Sequence, residues 1–323
     1  MTTPIPLVLQ ELNEPAAHRC GIRLILLRDD LTHAELPGNK WRKLNYNLLE
    51  ARAQGHHTLL TFGGAFSNHL AAVAAAGRLY GFRTIGIVRG EPTIPLNPTL
   101  AQAAADGMSL RYLDRDTYRQ KQEAAFQAEL LQQTGPAYIL PEGGTNELAL
   151  RGCAELVTEL SAQTSFDTLC VACGTGGTLG GFLTALKPQQ QAVGVAALKN
   201  GGFLQDDIHA LITAAGQIIT APWSVQTQYH FGGYARFSPE LMTFIQQFQQ
   251  RHKVLLDPIY TGKLLYGILD LLRQDYFAPG STVVAVHTGG LQAWAGFRAR
   301  FERRSVWWPK VVRPGGAASG AVN

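Results

Sequence analysis

Thr168-Leu-Cys-Val-Ala-Cys-Gly-Thr-Gly-Gly-Thr-Leu-Gly-Gly-Phe-Leu183 decides the reading of this chain. Thr168–Ala172 is a short apolar run that predicts a buried strand. Gly174, Gly176 and Gly177 break the run, and a helix is expected over Thr178–Leu186. Either this is a plain tight turn or it is a phosphate cradle. Converging backbone N–H groups, a helix N-terminus and the hydroxyls of Thr175 and Thr178 favour the cradle. No lysine follows as in a Walker A loop, and Gly174, Gly176 and Gly180 only approximate the dinucleotide pattern G-x-G-x-x-G.

Outward from this unit the chain alternates in the same way. Strands are predicted at Ile22–Leu27, Thr58–Phe62, Thr84–Val88, Ser109–Leu113, Tyr138–Leu140, Ala192–Ala196 and Thr282–Val286. Helices are predicted at Asn39–Gln54, Ser67–Tyr80, near Leu100–Asp106, over Asp116–Gln133, at Glu147–Ser161 and at Leu264–Arg273. Such alternation means βαβ units and parallel sheets covered by helices on both faces, an α/β fold.

The 323 residues are 46% hydrophobic and 16% charged, enough for two domains. A net charge of +4, dispersed along the chain, argues against nucleic acid. Its one concentration is Arg298, Arg300, Arg303, Arg304, Lys310 and Arg313 beside Trp307 and Trp308, read as a terminal helix with a solvated tail. Gly315–Asn323 is small and polar and is expected to be disordered. Met1–Pro15 lacks the pattern of a secretory signal, and no apolar run reaches the ~18 residues of a membrane span. Cys20, Cys153, Cys170 and Cys173 are too few for a disulfide framework, so a cytoplasmic protein is expected. Cys170 and Cys173 form a C-x-x-C, but inside a buried-strand pattern they read as core residues rather than a redox pair or zinc ligands.

Three further segments leave or open elements where ligands bind in α/β sheets. In Thr61-Phe-Gly-Gly-Ala-Phe-Ser-Asn-His69, Ser67, Asn68 and His69 stand at a helix start, as caps or as an anion site. In Leu36-Pro-Gly-Asn-Lys-Trp-Arg-Lys43, Lys40 lies beside Asn39, read as the helix cap. Alone, Lys40 is a solvated lysine; with the helix N-terminus, Arg42 and Lys43 lowering its pKa, it becomes a nucleophile. The last is a pair, Asp257-Pro-Ile-Tyr-Thr-Gly-Lys263 and His287-Thr-Gly-Gly290. Tyr260 is either structural, an acid/base or a stacking surface, and Thr288 can face a ligand at a strand's end.

Gly38–Leu44, Gly63–His69, Gly174–Thr178, Asp257–Lys263 and His287–Gly290, in this order, resemble the fold-type-II pyridoxal-phosphate enzymes. Within them the set is similar to the 1-aminocyclopropane-1-carboxylate deaminase and D-cysteine desulfhydrase family. The resemblance implies two open twisted, mostly parallel sheets flanked by helices. It implies a large cofactor-binding domain of residues 1–43 and 151–314, a small domain of 44–150, and a homodimer. It further implies that Lys40 carries pyridoxal 5'-phosphate as a Schiff base, and that Gly174, Thr175, Gly176, Gly177 and Thr178 hold the phosphate. By the same likeness Asn68 contacts the phenolic oxygen, Thr288 faces the pyridine nitrogen, and Ser67 and His69 take the substrate carboxylate. Tyr260 and, in a looser motif, Tyr234 flank the substrate. No metal is implied.

Two departures bear on the reaction. The family's deaminases carry glutamate where Thr261 stands, and glutamine is usual where Phe66 stands. A hydroxyl cannot stabilise a protonated pyridinium as a carboxylate can, so a good leaving group is favoured over an unactivated ring. Phe66 is expected to narrow or grease the pocket. The expected function is a lyase on a small amino acid: β-elimination, with D-cysteine giving pyruvate, ammonia and sulfide. The alternatives are ring-opening deamination, a nucleotide-binding oxidoreductase, and a cofactor-holding protein without turnover.

Overall fold

The computed structural model describes residues 6–33 and 35–302, with side chains followed to Phe297. The side chains of the basic cluster from Arg298, and the tail Gly315–Asn323, lie outside the described residues.

In chain order the elements are β1 (Leu9–Glu11), α1 (Pro15–Arg19), β2 (Arg23–Leu27), α2 (Asn39–Ala53), β3 (Thr58–Gly64), α3 (Asn68–Tyr80), β4 (Arg83–Arg89) and α4 (Pro98–Ala105). There follow β5 (Met108–Leu113), α5 (Arg115–Arg119), α6 (Ala124–Thr134), β6 (Tyr138–Leu140), α7 (Glu147–Gln163), β7 (Thr168–Cys173) and α8 (Gly177–Leu183). The last are β8 (Gln191–Ala196), α9 (Leu204–Ala214), β9 (Trp223–Gln226), α10 (Pro239–His252), α11 (Thr261–Arg273), β10 (Thr282–Val286) and α12 (Ala293–Glu302).

They form two sheets, β1-β2-β10-β7-β8-β9 and β5-β4-β3-β6. Every pairing is parallel except β1 with β2. The apolar runs have the period-2 geometry of strands buried on both faces. In the larger sheet Leu24, Leu26, Cys170, Ala172, Val283 and Ala285 enter one core. Their neighbours Ile25, Leu27, Leu169, Val171, Cys173, Val284 and Val286 enter the core on the other face. Likewise Leu59 enters one core of the smaller sheet, and Leu60 and Phe62 the other.

One expectation is corrected and one gap is filled. Asp116–Gln133 is not one helix: Glu123 is extended between α5 and α6, and the turn Gln120–Gln122 precedes it. Lys121 in that turn pairs with Glu142 and lies over the Tyr118 ring. The region between β8 and α11, left unassigned by the periodicity, holds α9, β9 and α10. The Ser238 cap and the proline at the start of α10 are a legible signal for that helix. Cys170 and Cys173 are buried free thiols in the core. Burial pushes the Cys173 thiol up to about 12.

The chain positions drawn as domain boundaries, 43/44 and 150/151, both fall inside helices, α2 and α7. These helices cross in close contact, since a Cβ on Gly152 would lie 1.9 Å from the Arg42 carbonyl oxygen. Three strands, β3, β7 and β10, lead at their carboxyl ends into segments singled out above, and β6 leads into residues 142–145.

Candidate active site

The turn after β7 is built for close approach. Gly176 has φ 77 and caps α8, and a Cβ there would stand 2.4 Å from Ile208. A Cβ on Gly177 would meet Thr145 Oγ1 at 2.8 Å and Lys43 Nζ at 3.0 Å. Thr175 and Thr145 share a hydrogen bond of 2.6 Å between hydroxyls, and Asn39 Nδ2 donates to Thr178 Oγ1 at 2.9 Å. Lys43, only 3% exposed, donates to Thr145 Oγ1 and to the Gly143 carbonyl, each at 3.2 Å. The cradle therefore gathers Lys43, Asn39 and Thr145 from two other segments. Sequence reasoning missed all three as binding groups. A signal for Thr145 was present, since Glu142-Gly-Gly-Thr145 is another glycine turn after a strand.

Lys40 lies one residue into α2, with Nζ 3.3 Å from Asn39 Oδ1. Burial, and then the charge of Lys43, lowers its amine to about 7. The expected direction is correct, and of the two charged neighbours named as causes Lys43 acts while Arg42 does not. The helix cap is Gly38, and Asn39 does not cap. Arg42 is neutralised by Asp29 at 2.8 Å and Glu159 at 2.9 Å. What remains is desolvation, with the charge of Lys43 second.

Gly38 ties this helix to the end of β10. A Cβ on Gly38 would lie 2.2 Å from the Thr288 carbonyl oxygen. A Cβ on Gly290 would lie 3.0 Å from Asn68 Nδ2 and 3.6 Å from Asp257 Oδ2. One on Gly174 would lie 3.0 Å from the Tyr260 hydroxyl, and one on Gly144 2.8 Å from the His69 ring. The five sequence segments thus meet at one place.

Ser67 is the cap of α3: its Oγ accepts from His69 N at 3.2 Å and Leu70 N at 3.3 Å. The hydroxyl proton is not used in these bonds. Buried His69 contacts Thr61 Oγ1 through Nε2 at 2.8 Å, and Thr61 donates onward to the Leu140 carbonyl. Burial, then the charges of Lys40 and Lys43, hold the His69 imidazole well below its ordinary pKa, so it brings no positive charge to an anion. Asn68 Oδ1 and His69 Nδ1 are buried polar atoms without a hydrogen-bond partner. Buried polar groups are normally paired, so two orphans facing a glycine-lined site suit a polar guest.

Tyr234 and Tyr260 pack edge to face, with ring centroids 6.1 Å apart. Burial raises both phenols, Tyr260 furthest, so each can donate a proton in hydrogen bonding but does not rest as phenolate. Thr261 Oγ1 donates to Asp257 Oδ2 at 2.6 Å and accepts from Asp257 N at 2.8 Å. Its single proton is committed to Asp257. The Phe66 ring stacks on Phe297 at 6.4 Å and 11°, and Phe237 stands edge-on to Phe297. A Cβ on Gly296 would sit 2.7 Å from the Phe66 ring. The Phe66 ring thus packs against α12 while the residue stays partly exposed.

Among the described residues no cluster of three or more His, Cys, Asp or Glu could hold a metal, and no helix is long and apolar enough to cross a membrane.

The chain matches the family model described as pyridoxal-phosphate dependent enzyme over residues 2–289. It is 32% identical over 281 residues to a putative 1-aminocyclopropane-1-carboxylate deaminase of Pyrococcus horikoshii, covering 84% of this chain and 85% of that protein. It is 31% identical over 294 residues to the mitochondrial bifunctional D-cysteine desulfhydrase/1-aminocyclopropane-1-carboxylate deaminase of Arabidopsis thaliana, covering 84% and 73%. Among solved structures, an ACC deaminase homologue superposes with a TM-score of 0.79 at 28% identity, covering 93% of this chain and 94% of that one.

Proposed function

The chain belongs to the pyridoxal-phosphate dependent enzyme family, and from that premise we propose a lyase that acts on a small amino acid by β-elimination, in the manner of a D-cysteine desulfhydrase. Membership removes the nucleotide-binding oxidoreductase reading. When bound, the cofactor would draw electrons from the substrate's Cα, the more strongly the more its ring nitrogen is held protonated.

The chain's own groups divide the remaining work. Lys40, neutral above about pH 7, would carry the cofactor and then take the proton from the substrate Cα. Gly174–Thr178, with Lys43 and Thr145, would hold the phosphate, and Asn68 the phenolic oxygen. Ser67 would offer its unused hydroxyl proton to the substrate carboxylate, with His69 orienting the loop. Tyr234 and Tyr260 would flank the substrate as neutral phenols. Thr288 would face the ring nitrogen.

The observation that carries elimination over ring opening is the commitment of Thr261 to Asp257. It would leave the ring nitrogen of a bound cofactor the hydroxyl of Thr288 in place of a glutamate. A weaker electron sink suffices to expel a thiolate but handicaps opening of an unactivated cyclopropane. Purified enzyme supplied with D-cysteine, L-cysteine and 1-aminocyclopropane-1-carboxylate, followed by 2-oxo acid and sulfide release, tests this. D-cysteine is expected to give the highest kcat/KM. A faster yield of 2-oxobutanoate from the cyclopropane would reverse the assignment, and silence across a broad amino-acid panel would favour cofactor holding without turnover.

The same reading takes the four-stranded sheet and its helices, residues 44–150, as a small domain inserted into the larger one. The family likeness supports a homodimer, and four free cysteines suit a cytoplasmic location.

Cofactor loading gives a pH test. An ordinary lysine titrates near ~10.4, and only the neutral amine attacks an aldehyde. Apoprotein mixed with pyridoxal 5'-phosphate should therefore gain visible absorbance at a rate that rises with pH up to about 7 and then levels. A rate still climbing beyond pH 9 would mean a solvated Lys40.

A further inference from the structure

We propose that Lys263 is a positioning residue for Tyr234, its buried ammonium holding the strained loop that sets Tyr234 against Tyr260. The proposal rests on the reading of Tyr234 as a substrate-flanking phenol.

Lys263 stands in the first turn of α11 with no exposed surface. Its Nζ donates to the Gly233 carbonyl at 2.8 Å and to the Ala197 carbonyl at 3.1 Å. Both partners are neutral, so the ammonium is desolvated without a hydrogen-bonded carboxylate, an expensive arrangement. Burial lowers its pKa to about 8, opposed by the charge of Asp257. Nothing in the chemistry above uses this charge.

What it touches explains its place. Phe231, Gly232, Gly233 and Ala235 have φ values of 48, 92, 112 and 53. Two non-glycine residues in the left-handed region within five positions is strained backbone, which persists only where its surroundings over-determine it. The loop's own bonds are few: Gly233 N and Gly232 N to His230, and Arg236 N to the Gly233 carbonyl. A Cβ on Gly233 would lie 3.3 Å from Lys199 Cβ, so the loop rests on the chain leaving β8. Lys263 bonds to both layers, through Ala197 on the β8 exit and Gly233 in the loop. Tyr260 lies three residues before Lys263 at the start of the same helix. One rigid element therefore carries Tyr260 directly and holds the Tyr234 loop through Lys263.

The test compares holoenzyme carrying Tyr234→Phe, Lys263→Met, and both. Readouts are kcat/KM, visible cofactor absorbance, and amide hydrogen exchange of residues 231–236. Lys263→Met should keep the absorbance and speed exchange in that segment at least about tenfold. It should cost roughly 10–100-fold in kcat/KM, the scale of a small misplacement at a reacting centre. The double variant should be no worse than Tyr234→Phe alone. Additive losses, or unchanged exchange, would overturn the proposal. Should Lys263→Met not fold, unmodified enzyme decides: exchange of 231–236, corrected for its intrinsic rate, should rise as pH passes about 8, and a flat profile overturns the proposal. If Tyr234→Phe leaves turnover unchanged, the reading of Tyr234 fails by itself, while the exchange data still judge Lys263.

Discussion

Lys40→Ala is expected to yield a folded protein with no covalently held cofactor band and with turnover reduced by about 10²–10⁴-fold or more, the range for losing a positioned acid/base. The fold should survive because the substitution removes a group that is costly to bury charged. Burial and Lys43 hold the amine near neutrality, at about 7. Among the described residues the two other buried lysines are already engaged. Lys43 is engaged with Gly143 and Thr145 beside the glycine turn, and Lys263 with Gly233 and Ala197. Pyridoxal 5'-phosphate can still enter the Lys40→Ala site, held by the turn, so the absorbance of dialysed and borohydride-treated protein separates covalent from bound cofactor. A covalent adduct persisting in Lys40→Ala would end the assignment.

Gly38→Ala is expected to damage both the fold and the site. Gly38 has φ 70 and ψ −148, a region almost closed to other residues. The added Cβ would also stand 2.2 Å from the Thr288 carbonyl oxygen. Backbone strain and overpacking together cost about 2–5 kcal/mol. The only relief is to move α2, with Lys40, away from the end of β10. Cofactor affinity should therefore fall about tenfold or more, alongside a thermal midpoint lowered by several degrees. Gly55→Ala is the control: Gly55 has φ 76 but nothing within 4 Å of an added Cβ. It should lose only the local strain, about 1–2 kcal/mol, with cofactor titration unchanged. If Gly38→Ala behaves like Gly55→Ala, the close contact between helix and strand end is not what shapes the site.

Much of this site was legible along the chain. The β10 strand has its predicted bounds, Thr282–Val286, because Thr282 and four apolar residues between Ser281 and His287 leave no other period to read. The glycine turn after β7 was readable as a cradle because its geometry depends on residues within one turn of each other. Lys40 was less so. Of its charged neighbours in sequence, Lys43 suggested a cause for a lowered pKa that the fold uses, and Arg42 one that it does not. Arg42 meets Asp29 and Glu159, 13 and 117 residues away, and no local pattern announces such a pairing. Phe66 shows the same limit. The family's usual glutamine at its position suggested a narrower pocket, and no local pattern announced that its ring packs on Phe297, far along the chain.

The sequence by itself determined which stretches become buried parallel strands, where they end, and which glycine and hydroxyl residues stand at those ends. These follow from side-chain alternation and backbone freedom, which act over a few residues. Only the tertiary structure decided which of the grouped residues are charged and which are already spoken for. Thr261 is spent on Asp257, Arg42 on two carboxylates, Lys263 on two carbonyls, and Lys40 is kept near neutral. Desolvation and Coulomb interaction depend on distance through space and on what excludes water, and neither quantity exists until the two sheets have brought their strand ends together.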